Sequence, residues 1–467
     1  MEGLEVSVLS KKDIDLGNRI DAEYFQQCNL LIEQRLKELP HKTLGEIATF
    51  VASAFYPAAT QLYAIGDTPF IRCVDCINYP LITKGQDESF EKIPINFILD
   101  NSGVNTLNKG DIVITKVGSP CYASIVYEHD TVALSRTVMG IKNISTVIPL
   151  YLLAFLRCKY GFQELYRERE QTIQFQLTLE RVRNIPIYIA SSLLQDAIAN
   201  VYHRYYVNTH NADQIYEQAE NILLNELCFN KTSMTPGICS YKRFSDFFDS
   251  GRLDAEYYHS KYDEIIDKIA QYPYGYDKIG KLYILRDKNF LPDDNTRYKY
   301  IELSDIGING EISGCTYEYG SNLPSRARRI VHTGDIIISS IEGSLQSCAI
   351  ITEEYDGALC STGFYVLSPR RINSETSLVL FKSPAIQALL KRACTGTILT
   401  AMNKDEFTTI SLPIINIDTQ NKITDIVQQS TALRKESHRL LNLTKAAVEV
   451  AIEQGETAAM EFIAKNK

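Results

Sequence analysis

The sequence predicts an α+β fold in which two tandem mixed α/β domains are joined by two long helices, with a pseudo-two-fold internal repeat. Three observations predict it: a motif that recurs about 230 residues later, β-rich runs interrupted by apolar helical stretches, and a heptad-patterned stretch at the end of each copy. The chain has 467 residues, of which 45% are hydrophobic and 22% are charged. This length and composition are typical of a folded protein with roughly two to four domains.

The repeat consists of short motifs that keep their order in both halves. Residues 19–25 (RIDAEYF) recur as 252–258 (RLDAEYY), and residues 110–114 (GDIVI) recur as 334–338 (GDIII). Shorter matches follow the same order: residues 44–47 and 279–282, 172–173 and 397–398, 185–186 and 412–413, and Gln195 and Gln420. Coincidence does not preserve such an order, so the chain is a tandem duplication. Divergent interiors in a shared frame favour two binding modules of different specificity, and drift after duplication is the alternative.

Each copy is predicted to contain a short helix, a β-rich body and a long helix. The short helices are predicted at residues 22–39 and 255–269 from the helical spacing of their apolar side chains. In the bodies, strands are predicted at residues 111–117, 123–127, 335–341 and 349–352, and helical stretches at 150–168 and 377–392. The predicted domains are residues 1–190 and 232–415, each followed by a spacer helix, at 191–231 and 416–467.

The two spacer helices carry a coiled-coil pattern. A 3-4-3-4 spacing of mostly apolar or small residues runs from Ile198 to Ile222 and again from Ile423 to Ala451, without proline or glycine. This heptad pattern predicts two coiled-coil helices that pair with each other in antiparallel direction. A helix of about 35 residues is about 50 Å long, so the pair has the length of a spacer. Small polar residues at Ser430 and Ser437 favour this arrangement over a helical hairpin inside an ordinary core.

The motifs of common cofactor and metal sites are absent from the sequence. No two glycines lie two positions apart, which excludes the dinucleotide fingerprint. Residues 275–281 imitate a phosphate loop, but Leu282 follows where a Ser or Thr is needed. Cys73 and Cys76 form a single CxxC pair, which we interpret as packed thiols rather than half of a zinc site. We therefore predict no catalytic residue, no metal and no cofactor bound by this chain.

The cysteine content and the net charge limit the cellular compartment and the kinds of partner that we expect. Eleven scattered cysteines, an odd number, are typical of reduced thiols, so we expect a cytoplasmic protein. The longest apolar run, residues 147–156, is about half of a membrane-spanning helix, and the N-terminal segment has no signal-peptide pattern. The net charge is −9. Residues 41–190 and 272–415 are nevertheless each close to neutral, so DNA binding is permitted.

Basic side chains in predicted loops are the candidate DNA-binding residues, because arginine forks suit phosphate and guanine recognition. Residues 325–330 (SRARRI) carry the densest group, and Arg167 and Arg169 form another. The candidates in the first copy are Arg72, Lys116, Arg136, Thr172 and Gln174, and those in the second are Arg286, Lys288, Arg297, Arg326, Arg328, Arg329 and Thr397. For any single arginine, a solvated surface position is the alternative.

With its motifs in this order, the chain resembles the specificity (S) subunit of type I restriction–modification systems over nearly its whole length. The resemblance rests on residues 109–114 (KGDIVI), 333–338 (TGDIII), 358–364 (ALCSTGF) and 395–397 (TGT), on the downstream Leu412 and Pro413, and on the long helix after each body. Residues 135–137 (SRT) depart from the Ser-Thr-Gly pattern, and residues 171–173 (QTI) lack the glycine that the second copy has at Gly396. Which loop of the first domain meets bases therefore stays open.

The resemblance implies two target recognition domains, each reading one half of a split DNA site, on an antiparallel coiled coil that spaces the half-sites and docks methylation (M) subunits. Restriction (R) subunits add the nuclease and the ATP-driven translocase, so S-adenosylmethionine, ATP and Mg are expected on partner subunits and this chain is expected to be non-catalytic. The partner-docking candidates are Ile198, Val201, Tyr205, Ile215, Ile222, Ile423, Ile426, Leu433 and Leu440. Two alternatives stay open: a protein-binding scaffold with two diverged repeats, and a fused DNA-modifying enzyme with an unrecognised catalytic site.

Overall fold

The computed structural model describes residues 6–9, 21–54, 59–119, 121–170, 175–229, 241–245, 247, 251–252, 254–307, 309–396 and 400–466. The chain forms two compact units. Unit 1 comprises residues 1–210 and 434–467, and unit 2 comprises residues 211–433.

The first repeat contains eight helices and eleven strands among its described residues. The helices are α1 (Gln27–Glu38), α2 (Leu44–Ile47), α3 (Cys73–Asn78), α4 (Ile95–Asp100), α5 (Pro149–Arg157), α6 (Lys159–Arg167), α7 (Leu179–Val182) and α8 (Ser192–Glu226). The strands are β1 (His41–Thr43), β2 (Thr49–Ala52), β3 (Thr68–Ile71), β4 (Leu81–Ile82), β5 (Lys92–Ile93), β6 (Thr106–Leu107), β7 (Ile112–Thr115), β8 (Ala123–Val126), β9 (Val132–Leu134), β10 (Val138–Lys142) and β11 (Pro186–Tyr188).

The second repeat contains seven helices and twelve strands over the part that the structure describes. The helices are α9 (Ser260–Ala270), α10 (Ile279–Leu282), α11 (Ser374–Lys382), α12 (Pro384–Arg392), α13 (Lys404–Thr409), α14 (Ile417–Gln454) and α15 (Glu456–Lys465). The strands are β12 (Tyr276–Lys278), β13 (Tyr283–Leu285), β14 (Arg297–Ile301), β15 (Thr316–Tyr319), β16 (Ala327–Ile330), β17 (Ile336–Ser339), β18 (Cys348–Ile350), β19 (Leu359–Ser361), β20 (Phe364–Pro369), β21 (Cys394–Thr395), β22 (Ala401–Met402) and β23 (Ser411–Pro413).

The body of unit 1 has three layers: helices, a five-stranded sheet and a four-stranded sheet. The first sheet has the strand order β2-β10-β7-β8-β4, and the second has the order β5-β3-β9-β6. Side chains alternate across the first sheet because a strand has a period of two. Ile112 and Ile114 therefore pack on the helices, while Val113 packs toward the second sheet. All four residues of β7 are buried, which explains the unbroken apolar run Ile-Val-Ile.

Unit 2 repeats this architecture. Its sheets have the orders β13-β20-β17-β18 and β15-β14-β19-β16. In both units the second sheet contains one parallel pair, β3 with β9 and β14 with β19. Ile336 and Ile338 pack on the helical side of β17, and Ile337 packs on the other side. The predicted α+β class with a two-fold internal repeat is confirmed, and β4 is an additional strand of unit 1.

The Gly-Asp-Ile motif forms the turn that starts β7 and β17. Gly110 and Gly334 have φ values of +92° and +83°, in the left-handed region that favours glycine because a Cβ is strained there. The next residue closes the turn in both units. Asp111 Oδ2 accepts the Asn108 N–H at 2.8 Å, and Asp335 Oδ2 accepts the His332 N–H at 2.9 Å.

The helices α8 and α14 pair in antiparallel direction, as the heptad pattern predicts. In unit 1, Ile198 and Val201 of α8 share a core with Leu440 of α14. In unit 2, Leu223 of α8 shares a core with Ile423 of α14. The seam drifts from the predicted frame: Tyr216 and Leu223 are buried, whereas Ile215 and Ile222 are half-buried. An α-helix has about 3.6 residues per turn, so a strict 3-4 spacing does not stay on one side.

One polar residue of the seam, Ser430, has a structural role. Ser430 Oγ donates to the Ala212 carbonyl at 2.7 Å, so this hydroxyl has a hydrogen-bond partner where the two helices approach closely in unit 2.

The predicted short helices at 22–39 and 255–269 begin later than predicted, at Gln27 and Ser260. The repeated motif before them is instead a turn, because aspartate side chains hold N–H groups three residues on. Asp21 Oδ1 accepts from Tyr24 and Asp254 Oδ1 from Tyr257, both at 3.1 Å.

Candidate nucleic-acid interface

Three of the predicted DNA-binding residues of the first copy lie at one edge of unit 1, where β3, β7 and β9 end. Arg72 follows β3, Lys116 follows β7 and Arg136 comes shortly after β9. Backbone bonds join these ends: the Lys116 N–H donates to the Thr137 carbonyl at 2.9 Å, and the Ser135 N–H donates to the Ile71 carbonyl at 2.9 Å. We call the positions of these three residues, and their equivalents in unit 2, the strand-end edge.

The three cations of this edge differ in their surroundings. Arg72 contacts Asp75 at 3.5 Å and Glu91 at 3.3 Å, so its charge is largely balanced. Lys116 is half-buried, and burial lowers the pKa of its ammonium group. Arg136 is exposed. The side chains of Lys116 and Arg136 are therefore both accessible from outside the protein.

The strand-end edge of unit 2 has the same backbone and different side chains. The Ser340 N–H donates to the Gly363 carbonyl at 2.8 Å, as Lys116 does to Thr137. The Glu302 N–H donates to Asp305 Oδ2 at 2.8 Å, and the Arg72 N–H donates to Asp75 Oδ2 at 2.7 Å. Glu302 and Ser340 are thus the equivalents of Arg72 and Lys116.

The third position of the strand-end edge, Arg136, also has an equivalent in unit 2. Ser135 Oγ accepts the N–H of Thr137 at 3.3 Å, and Ser361 Oγ accepts the N–H of Gly363 at 3.2 Å. Arg136 is therefore equivalent to Thr362. One frame carries three cations in unit 1 and one carboxylate with two hydroxyls in unit 2. A search for basic residues missed Glu302, Ser340 and Thr362, although alignment of the two repeats contained the signal.

Arg326 is the predicted residue of the second copy that reaches this edge. Its carbonyl accepts the Thr362 N–H at 2.9 Å, and its guanidinium lies 3.8 Å from Glu302 with 63% of the side chain exposed. An exposed pair of this kind contributes little stability, so the guanidinium can exchange its partner for an external one at small cost.

The other described candidates of the second copy do not gather at the edge. Arg286 contacts the buried carboxylate of Asp335 at 3.1 Å, at the opposite end of β17. Arg328 Nε donates to the Ser325 carbonyl at 2.8 Å, and Arg329 donates to Asn289 Oδ1 at 3.0 Å. Lys288 is exposed in the segment after β13.

Arg297 lies at the start of β14, whereas Glu302 follows the end of that strand. Its guanidinium lies 4.7 Å from the ring centroid of Tyr317 and 5.1 Å from that of Tyr319. This exposed cation–π group is separate from the strand-end edge, so a DNA contact by Arg297 would need a different part of the duplex.

Thr172, Gln174 and Thr397 lie outside the described residues, and their role stays a prediction. The residues that flank them are at the edge. In unit 1 the Leu177 N–H donates to the Lys116 carbonyl at 2.8 Å, and in unit 2 the Met402 N–H donates to the Ser340 carbonyl at 2.7 Å. Leu177 and Met402 therefore bond to equivalent positions of the edge.

Arg167 and Arg169 are structural residues, contrary to their interpretation as loop cations. Arg167 is only 3% exposed at its side chain and contacts Glu33 at 2.6 Å. The Arg169 guanidinium lies 3.0 Å from the ring centroid of Tyr166. The segment before α1 covers Arg167, and the rings of Tyr166 and Phe175 cover Arg169, which the sequence pattern does not reveal.

The predicted docking residues divide into two groups. Ile198, Val201, Ile423 and Leu440 are fully buried in the cores of the two units, so these side chains are not available to a partner. Tyr205, Ile215, Ile222, Ile426 and Leu433 are half-buried. Exposed apolar side chains on the helices are instead Leu193 and Ile417, which are 66% and 63% exposed in the first turns of α8 and α14, and Val207 at 37%.

Metal-ligating side chains and thiols also occur elsewhere in the described part of the chain. No group of three or more His, Cys, Asp and Glu side chains there is arranged to hold a metal ion. Burial raises the pKa of both Cys73 and Cys76, and the Cys73 thiol donates to the Ser119 carbonyl. The ten described cysteines are free thiols. None of the described helices combines the length and apolar character needed to cross a membrane.

Residues 284–443 match a protein-family model described as the type I restriction modification DNA specificity domain. These residues, which lie within the second repeat, are therefore similar to the DNA specificity domain of type I restriction–modification systems. Over residues 284–443 this match confirms the resemblance to type I specificity (S) subunits that the motifs predict.

Solved structures with similar chains include two S subunits. The crystal structure of the type I restriction–modification S subunit from M. genitalium is 11% identical, with a TM-score of 0.40, and the match covers 88% of this chain and 94% of that one. The HsdS subunit from Thermoanaerobacter tengcongensis is 14% identical, with a TM-score of 0.29 and coverage of 89% and 96%. The comparison with curated proteins gives no match.

Proposed function

We propose that this chain is the sequence-specific DNA recognition subunit of a type I restriction–modification complex, and that each unit reads one half of a bipartite target. The strand-end edge is the observation that carries the proposal. Both units present the same three backbone positions there, with Arg72, Lys116 and Arg136 in one and Glu302, Ser340 and Thr362 in the other. Arginine and lysine suit guanine, whereas glutamate accepts from cytosine and hydroxyls suit several bases.

The chain acts by recognition, and its partners carry the chemistry. M subunits supply methyl transfer with S-adenosylmethionine, and R subunits supply ATP-driven translocation and Mg-dependent cleavage in the cytoplasm. The specificity family supports this division of labour. The test is the methylation pattern made by the full chain with M subunits. A bipartite target supports the proposal, whereas methylation by the purified chain alone would show an unrecognised enzyme.

The exposed first turns of α8 and α14 are the proposed docking surface for M subunits. Leu193 and Ile417 support it, since each presents an exposed apolar side chain in the first turn of its helix. The double variant L193D/I417D should lose co-purification with M subunits. The control is L99D, at a body residue that is 76% exposed. Retained co-purification of a folded L193D/I417D variant would contradict the docking proposal.

The paired helices are also proposed to set the spacer between half-sites. Because α8 and α14 pair, both must be lengthened together, by four residues after His210 and four after Leu433. Four helical residues add about 6 Å, close to two base pairs at about 3.4 Å each along one strand. The methylated target should gain one or two spacer base pairs with both half-sites unchanged. An altered half-site would contradict this role.

A further inference from the structure

The first residue of the repeated motif in the second copy, Arg252, lies before α9 and contacts the hairpin formed by β21 and β22. Arg252 Nη1 donates to the Arg392 carbonyl at 3.0 Å and to the Cys394 carbonyl at 3.2 Å. Cys394 is the first residue of β21. The same guanidinium is held by Asp254, with Nε 2.7 Å from Oδ2 and Nη2 3.0 Å from Oδ1. One side chain thus joins the end of α12 to the start of the hairpin.

Tyr257 fixes this arrangement between two arginines. The Arg252 and Arg392 guanidinium groups lie 4.4 and 4.2 Å from its ring centroid, and Arg392 Nε donates to its carbonyl at 3.0 Å. Unit 1 repeats the second contact. Arg167 lies 4.0 Å from the ring centroid of Tyr24, and its Nε donates to the Tyr24 carbonyl at 2.9 Å.

The other strand of the hairpin is bonded to the strand-end edge. Cys394 pairs with Met402, and Thr395 pairs with Ala401. The Met402 N–H donates to the Ser340 carbonyl at 2.7 Å, and the Glu342 N–H donates to the Thr400 carbonyl at 3.0 Å. The hairpin therefore lies between Arg252 on one side and Ser340 on the other.

The cleft beside these residues is not an anion site. It has a volume of about 380 Å³ and is lined by Arg252, Lys391 and Arg392 together with Asp254, Glu256 and Glu342. Three cations face three carboxylates, and both arginines donate to backbone carbonyls. The charges of Arg252 and Arg392 are used inside the protein, which indicates a structural clamp rather than a phosphate contact.

We propose that Arg252 is a positioning residue for DNA reading by unit 2: its guanidinium fork holds the β21–β22 hairpin in register with Ser340 at the strand-end edge. The effect on DNA reading rests on the proposed function. The clamp itself, in which Arg252 holds the hairpin, rests on geometry alone. Lysine cannot replace the fork, because one ammonium group cannot bond both carbonyls and Asp254 in the same planar geometry.

The clamp is tested first without DNA, by hydrogen exchange on the full chain. R252A and R252K should speed exchange of the amides of Cys394, Thr395, Ala401 and Met402 by about tenfold or more, because local opening of these two strands becomes more frequent. Exchange in β17 should stay as in wild type. The control is R371A, in the same unit, where the removed guanidinium is exposed and lies 3.9 Å from Asp277. Unchanged exchange of these four amides in R252A would overturn the clamp, as would wild-type exchange in R252K.

The consequence for reading is tested by sequencing sites methylated by each variant with M subunits. R252A and R252K should relax discrimination in the half-site read by unit 2 by about tenfold, the scale of one mismatched base pair. Discrimination in the other half-site should be unchanged. Equal loss in both half-sites would indicate general destabilisation and overturn the positioning role. The two ideas can fail separately. If exchange is faster in R252A but the wild-type complex methylates no bipartite target, the clamp is supported and the proposed function is contradicted.

Discussion

Gln195 and Gln420 occupy equivalent positions in the two repeats and tie the long helices to the bodies by the same two hydrogen bonds. Gln420 Oε1 accepts the Asn373 N–H at 2.8 Å, and its Nε2 donates to the Ile415 carbonyl at 2.8 Å. Gln195 Oε1 accepts the Ile148 N–H at 2.7 Å, and its Nε2 donates to the Ala190 carbonyl at 2.8 Å. A buried amide joins each body to the start of its helix.

Replacing Gln420 with alanine should lower the free energy of unfolding by about 2 kcal/mol, because a buried N–H and a buried carbonyl each lose their partner. Gln420 is 3% exposed. Chemical denaturation of the full chain measures the loss. The matched control is Gln428→Ala on the same helix, where the amide makes an exposed bond to Glu375. Equal losses in the two variants would contradict the role given to Gln420.

Gly334→Ala should destabilise unit 2 by about 1–2 kcal/mol, the cost of a left-handed conformation for an L-residue. The cost is in the backbone alone, since a Cβ at Gly334 would meet only Ser374 Oγ, at 3.8 Å. Gly334→Asn should cost less, because asparagine tolerates this region. Gly343→Ala is the control, since a Cβ there meets nothing within 4 Å and its φ is not positive. Thermal unfolding distinguishes the variants.

The features that were predicted correctly are those that depend on a short stretch of sequence. The Gly-Asp-Ile runs, the buried strands after them and the heptads of α8 and α14 each occupy a short stretch with its own period. The predicted helical stretch 377–392 is divided between α11 and α12, because Pro384 disfavours helical conformation at Ser383, whose ψ is 142°.

The candidate site depends on contacts between distant segments. Arg72, Lys116 and Arg136 come from three strands, so only the register of β3, β7 and β9 brings them together. Arg167 looked like a loop cation because sequence does not show which charges tertiary packing encloses. Glu302 was missed because its residue type differs from that of Arg72, although its backbone position is the same.

Glu164 should make the stability of unit 1 depend on pH. Burial raises the pKa of this carboxyl from 4.5 to about 8, against the opposing effect of Arg167 and with a further increase from Glu33 and Glu168. Between these values the folded state binds one proton more than the unfolded state. The free energy of unfolding should therefore fall as pH rises from about 4.5 to about 8, by up to about 1.4 kcal/mol per pH unit.

Glu164→Gln should flatten this dependence, because the amide stays neutral at every pH, and the variant should be more stable than wild type above about pH 8. Denaturation at several pH values on the full chain measures it. Glu180→Gln, at an exposed position of α7, is the control and should leave the dependence in place. A Glu164→Gln variant that keeps the wild-type slope would show that Glu164 is not the titrating group.

The strand-end edge of unit 1 gives the sharpest test of recognition. Lys116→Ser and Arg136→Thr place the side chains of unit 2 on the backbone of unit 1. The frame should persist, since the Thr137 carbonyl accepts from the backbone N–H of residue 116. If Lys116 or Arg136 contacts a base edge, the half-site read by unit 1 should lose discrimination by about tenfold or more. If either contacts phosphate, the slope of log K against log salt should become shallower by about 0.9 per contact.

Lys109→Ser separates position from net charge. Lys109 is exposed and precedes β7, whereas Lys116 follows it, so both substitutions remove one positive charge at opposite ends of the same strand. Lys109→Ser should leave both half-sites and the salt slope as in wild type. The half-site read by unit 2 should be unchanged in every variant, because Glu302, Ser340 and Thr362 are untouched. Sequencing methylated sites made with M subunits, with binding measured at several salt concentrations, tests all of this. If Lys109→Ser and Lys116→Ser change half-site discrimination and the salt slope equally, the strand-end edge is not the reading surface.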